Sequence, residues 1–463
     1  MKKLLYLLLI IPFLTGATRY VASDGSGNYT TFAAANTAAS AGDTIAAKCG
    51  LTYREQIIPI NGTASAYTTY TSYGTGAKPL ILGSKQENNL TDWTDLGSNI
   101  WSNNDTSFTV DVGNIIFNNE SSCGVKKKTE AELLTQGDFW YDFTNDLIKI
   151  YSVGNPASVY TNIECALRQG IVKINYSHHI IIDGIDIRYG ASNGIEGRSL
   201  NNITIKNCNL SFIGGGDQLE DHTVRFGNGI NFWQGASDLL VEKCFFENVM
   251  DCAFTNQGDG NNYSVSNINY KNNIADKCKW MYEKFYTGTN ITGNNIHVTH
   301  NTFTNAGSEW GSAQRWDTSI SKFFVSQLDT AIYTNCTFKN NIMSGSDGVA
   351  IRTNAVADAN DFDMDYNCYN VTTVGKIIST DYTTLADWQL ATSQDAHSIA
   401  ADPLLNSNYK PLNGSPCINA GEDVGVNTDY YGKSRVGTAD IGAIEFRQGI
   451  ETQGVKRGGV IFK

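Results

Sequence analysis

The chain has 463 residues, 17% charged and 41% hydrophobic, enough apolar content for a folded core and too much for wholesale disorder. A formal net charge of −12 weighs against nucleic acid as a partner, because a phosphate backbone calls for a basic stripe. With 44 Gly but only 7 Pro, collagen-like and proline-rich low-complexity chains are excluded.

In chain order, Lys2 and Lys3 precede an apolar run from Leu4 to Leu14, and Thr15-Gly16-Ala17 supplies small residues. This is the pattern of a secretory signal peptide over residues 1–17, too short to be a membrane span. The mature chain is therefore expected to be secreted, extracellular or periplasmic, with no membrane contact after cleavage. Residues 18–44 are predicted as an N-terminal cap containing a short helix in the Ala-rich stretch from Phe32 to Ala41. Residues 45–165 are predicted as an irregular early insertion, with a hairpin over 139–152 about Thr144-Asn145-Asp146. Regular coils are predicted from about 166 to 371, last coils and a closure over 372–446, and a flexible tail over 447–463. The ten Cys show no CxxC and no zinc spacing. They are expected as buried free thiols or isolated bridges.

The fold is carried by a repeat. "HHIIIDGIDI" (178–187), "NNITIKNCNLSFIGG" (201–215), "SDLLVEKCFFENV" (237–249), "SNINYKNNIADKC" (266–278), "NNIHVTHNTFTNAG" (294–307), "TNCTFKNNIMSG" (334–345) and "DFDMDYNCYNV" (361–371) share one pattern. Aligned on Ile180, Ile203, Leu239, Ile268, Ile296, Cys336 and Phe362, they place apolar residues two positions on. A column of Ile185, Cys208, Cys244, Asn273, Asn301, Asn341 and Asn367 follows, then a mostly apolar column from Ile187 to Tyr369. A strand of period two, a one-residue corner and a second strand account for this. Stacked at ~4.8 Å, the asparagines would form an amide ladder. The expected fold is all-β, a single-stranded right-handed parallel β-helix.

The repeat resembles those of the pectate-lyase-like superfamily of parallel β-helix proteins. "GDTI" (42–45), "GLTYRE" (50–55), "SPCINAGED" (415–423) and "ADIGAIEF" (439–446) resemble the opening and closing segments of secreted β-helix polysaccharide lyases and hydrolases. The resemblance implies a carbohydrate-active enzyme, but such folds host several chemistries.

Side chains fill the interior of a β-helix, so chemistry must lie on its outer wall or in loops. The long loops 214–228, 251–262, 278–292 and 307–321 follow successive coils and are expected to line one groove. Within them Asp251, Glu283, Glu309 and Asp317 are candidate catalytic carboxylates for glycoside hydrolysis, which needs two. Lys284 and Arg315 are candidates for the base and neutralising cation of a lyase, joined by Arg352. Lys284 and Arg352 are expected outward, in register with Asn256 and Trp233. His222, Arg225, Trp233, Gln257, Trp280, Tyr282 and Trp310 are candidate substrate contacts, since rings stack on sugars and polar groups bond hydroxyls. Asp361, Asp363 and Asp365 alternate with inward Phe362 and Met364, so a Ca²⁺ site is expected there as the only cofactor. His178-His179 reads as a turn, and no G-x-S-x-G elbow supports an esterase. The expected function is cleavage of a polysaccharide, by lyase or hydrolase chemistry, in a monomer. The alternative is a non-catalytic glycan-binding, adhesion or tailspike-like β-helix.

Overall fold

The computed structural model describes residues 16–317, 319–326 and 330–448. The expected leader, apart from Gly16 and Ala17, and the expected tail beyond 448 lie outside them. Among the described residues one sheet gathers 18 strands and a second gathers 10. Coil-to-coil pairing in both is parallel throughout the repeat region, so the fold is a parallel β-helix.

The register matches the sequence alignment. Ile182, Ile205, Val241, Tyr270, Val298, Phe338 and Met364 pair in succession. So do Ile187, Leu210, Phe246, Ala275, Phe303, Met343 and Tyr369 on the ten-strand sheet. These columns are buried and form one continuous core, the nearest-neighbour burial that holds a solenoid together.

Three walls surround that core. Strands such as Ile195–Lys206 and Ile230–Glu242 run over two of them, with a register shift between Arg198 and Leu200 marking the bend. Wall one carries Val172–Lys173, the first part of those two strands, Cys252–Asp259, Trp280–Thr287, Lys322–Ser326 and Val349–Thr353. Wall two carries the strands of the first column. Between walls two and three the corner residue is left-handed: Asn207, Lys243, Asn272, His300, Asn340 and Tyr366 have φ between 53° and 58°. Asparagine tolerates this conformation best, which explains its recurrence there.

The next residue builds the predicted ladder. Asn273 Nδ2 donates to Asn301 Oδ1 at 3.0 Å, Asn301 to Asn341 at 3.0 Å, and Asn341 to Asn367 at 3.2 Å. All four are fully buried. Each Oδ1 also accepts the backbone N–H of the preceding coil, so no amide is orphaned. The file ends on Asp395, whose carboxylate accepts from Asn367, Tyr369, Trp388 and Ser398.

The helix Phe32–Ala38 caps the first coil, as predicted. Thr31 Oγ1 accepts from Ala34 N at 3.1 Å, and Phe32 packs edge-on to Tyr53. The early insertion is more ordered than the sequence suggested. Residues 84–167 form two small, mostly antiparallel sheets over their own core of Phe117, Phe139, Tyr141, Ile148 and Ile150. The predicted hairpin is the pair Asp138–Asp142 and Leu147–Tyr151. The closure crosses wall three, where Ala443 and Ile444 cover Phe245 and Ile274, and Cys417 and Ile441 cover Ile342 and Cys368. All ten cysteines are free thiols, eight of them buried. Among the described residues no helix is long and apolar enough to cross a membrane.

Candidate functional site

Alternation on wall one sets which side chains face out. Glu196, Asn231, Thr255, Glu283, Val325 and Arg352 share one outward column. Arg198, Trp233 and Gln257 share the next. In the strand Trp280–Thr287 the phase slips, because Met281 and Tyr282 are both fully buried in the core. Trp280 and Glu283 are therefore both outward, joined by Cys252 and Lys322, which pair with Trp280 on the flanking coils.

Glu283 sits at the centre of this wall. Gln257 Nε2 donates to its Oε2, and the Cys252 thiol lies 3.9 Å from the same oxygen. Burial pushes its carboxyl up to about 8, and the nearby charge of Asp251 adds to the effect. Asp251 is also raised by burial, although Arg315 opposes it. Arg315 Nη1 lies 3.2 Å from Asp251 and Nη2 lies 2.7 Å from Asp317. Burial works against ionisation of Asp317, but the guanidinium overcomes it and holds that carboxylate at about 2. Burial brings the Lys322 ammonium down to about 8, with Glu283 pulling the other way. Lys322 Nζ stands 4.5 Å and Arg315 Cζ 5.0 Å from the centre of the Trp280 ring, whose Nε1 donates to Ile320 O at 2.9 Å. Trp280 is thus a wall clamped by cations. The arrangement places a carboxyl whose pKa is raised and a carboxylate whose pKa is lowered in one charged cluster, the divergence on which acid–base catalysis draws.

Toward the N-terminus the same face opens into a cavity of about 370 Å³ lined by Asn175, Tyr176, Glu196, Gly197, Arg198, Asn231 and Trp233. Tyr176 is exposed and Trp233 half-buried, so both offer rings to a ligand.

The structure therefore brings together Asp251, Gln257, Trp280, Glu283, Arg315 and Asp317, with Trp233 along the wall. It corrects the rest. Lys284 is in register with Asn256, but both point inward. Its ammonium pairs with Asp361 and lies 3.9 Å from the Tyr333 ring centre. Tyr282 is a core residue beside Phe254 and Phe324. Arg352 is outward but aligned with Val325 and Glu283, whereas Trp233 is aligned with Gln257. Arg225 is fully buried and donates to Gly215 O and Gln314 O at 2.8 Å and to Gly113 O at 2.5 Å, tying the insertion to the coils. His222 pairs with Asp217 at 2.9 Å beside Phe143 and Trp316, on the insertion side. Trp310 packs against Phe212. Glu309 is solvent-facing and bridges to Lys277 at 3.5 Å, away from Glu283. Asp361, Asp363 and Asp365 do not form one donor set: they turn to Lys284, Lys339 and His397 respectively. Among the described residues no group of three or more His, Cys, Asp or Glu is gathered to hold a metal.

Lys322, Cys252, Glu196 and Asn231 escaped the sequence reading. The buried pair Phe323-Phe324 beside Lys322 was the available signal for an outward lysine.

No protein-family model matches the sequence, and no curated protein matches it. Solved structures with a similar path are found at low identity. One described as a glycoside hydrolase is 8% identical, covering 82% of this chain and 99% of its own, with a TM-score of 0.48. The complex of XylC with xylose is 12% identical, covering 78% and 70%, with a TM-score of 0.45. The pectate lyase Pel9A is 14% identical, covering 94% and 97%, with a TM-score of 0.42. These likenesses accompany the strand pairing, which establishes the parallel β-helix by itself.

Proposed function

We propose that this chain is an exported enzyme that cleaves a polysaccharide on wall one, with Glu283 as proton donor. The reading rests on one observation: the Glu283 carboxyl is held at about 8 by burial beside the Asp251–Arg315–Asp317 set. A carboxyl that stays protonated at neutral pH can protonate the leaving oxygen of a glycosidic bond. An ionised carboxylate in the same pocket supplies the second function, activating water or stabilising the cationic sugar. Arg315 holds both aspartates and so sets their orientation.

Lyase chemistry is the second reading, favoured by Lys322. Its ammonium, brought down to about 8, could lose a proton and serve as base, with Arg352 on the next coil neutralising a uronate. A glycan panel separates the readings. New reducing ends without unsaturated-uronate absorbance mean hydrolysis; that absorbance means elimination. Glu283→Gln should abolish hydrolysis with the fold intact. Glycan binding without turnover by the wild type across the panel would leave a binding protein. Recovery of a chain beginning at Thr18 from the culture medium would test export.

A further inference from the structure

A second cavity, of about 390 Å³, lies at the N-terminal corner between wall three and wall one, between the first coils and the inserted sheets. Arg54, Glu55 and Gln169 come from the coils, and Lys85, Glu87 and Asp105 from the insertion. It adjoins the cavity at Trp233. Glu196, which lines that cavity, lies directly over Gly170: a Cβ on Gly170 would stand 2.4 Å from Glu196 Cδ. Gln169 is the next residue. The order of coils along the wall is Ile57, Val172, Ile195, Ile230, Phe254 and Tyr282. The coils of both cavities and of Glu283 thus follow one another along the helix axis, over about 20 Å at ~4.8 Å per strand.

One polar group lining the middle cavity awaits a partner. Asn231 Oδ1 is buried with no hydrogen bond, a costly state that a ligand hydroxyl would relieve. Trp233 and Tyr176 offer rings in the middle cavity. The charges of the two cavities are close to balanced: in the distal one Arg54 pairs with Glu164 and Lys85 with Asp105, Glu55 adds further acid, and burial raises the Glu87 carboxyl to about 7. In the middle cavity Glu196 stands beside Arg198. A polyanion would find no net positive field in either cavity, consistent with the chain's net charge of −12.

We infer that the substrate is a linear neutral glycan lying along wall one, and that the cavity beneath the insertion is a distal subsite for it. The inference rests on the proposed glycan-cleaving reading, but binding tests it without turnover. Glu283→Gln protein would be titrated with xylo-, manno- and cello-oligosaccharides of three and six units, and with galacturonides of the same lengths. At least one neutral series should bind, with the hexamer at least tenfold tighter than the trimer. Gln169→Ala and Lys85→Ala should each remove most of that gain while moving trimer affinity less than twofold. Equal affinity for trimer and hexamer, or full hexamer affinity in both variants, overturns the distal subsite. Tighter binding of the galacturonides overturns the neutral substrate. No binding by any member would overturn the glycan reading itself.

Discussion

Removing one rung of the amide file is the most direct perturbation of this fold. Asn301 Oδ1 accepts from Asn273 N at 2.9 Å and from Asn273 Nδ2 at 3.0 Å. Its Nδ2 donates to Tyr270 O and Asn341 Oδ1, each at 3.0 Å. Asn301→Ala leaves two buried donors on Asn273 without acceptors, while Asn341 Oδ1 keeps the backbone N–H of residue 301. At about 1–3 kcal/mol per orphaned group, plus a small void, the cost is roughly 4 kcal/mol. Unfolding entropy near 2.1 cal/mol/K per residue makes each kcal/mol worth only ~1 °C in a chain this long, so Tm should fall by about 4 °C. Asn294→Ala is the control, because Asn294 is exposed and its side chain makes a single surface bond, from Thr334 Oγ1. Its cost should stay within about 0.5 kcal/mol. Differential scanning calorimetry on both variants reads the difference. If Asn301→Ala melts within 1 °C of Asn294→Ala, the ladder does not carry the load assigned to it here.

Further outcomes follow from the wall and the core. A Glu whose folded-state pKa is raised binds more protons folded than unfolded, so its contribution to stability falls as pH rises from about 4.5 toward about 8. Glu283→Gln should therefore gain Tm relative to the wild type across that window; a constant difference would mean Glu283 is not desolvated. Lys284→Ala should destabilise by roughly 3 kcal/mol through its broken pair with Asp361, while kcat per folded molecule is retained. Selective loss of kcat without destabilisation would return Lys284 to the catalytic set. Trp233→Ala should raise KM by about three- to tenfold, the value of one ring contact of ~0.5–1.5 kcal/mol, with Tm unchanged; an altered kcat at constant KM would contradict a binding role.

The fold was readable because inward residues repeat at fixed offsets and an amide is the side chain that satisfies its own copy. The site was only partly readable. Asp251, Glu283, Arg315 and Asp317 converge as expected, because loops on adjacent coils meet. Lys284 and Tyr282 were misplaced because two consecutive inward residues, Met281 and Tyr282, shift the strand's phase, and nothing in a period-two pattern announces such a slip. Arg225 and Trp310 were misread because loops fold back onto the coils and bury polar and aromatic side chains there. The aspartates at 361, 363 and 365 share a sequence pattern, but cations from three different segments divide them.

The file of asparagines has a different chemistry at its end. Every interior rung offers the same face above and below, so any coil can follow any other. Excising the 28-residue turn from Asn273 to His300 would bring Asn301 beneath Cys244 with every bond type kept. Asp395 breaks that rule, since a carboxylate only accepts and passes no proton onward. Whole turns can therefore be gained or lost from the middle of the molecule across generations, while the terminus stays fixed as a stop.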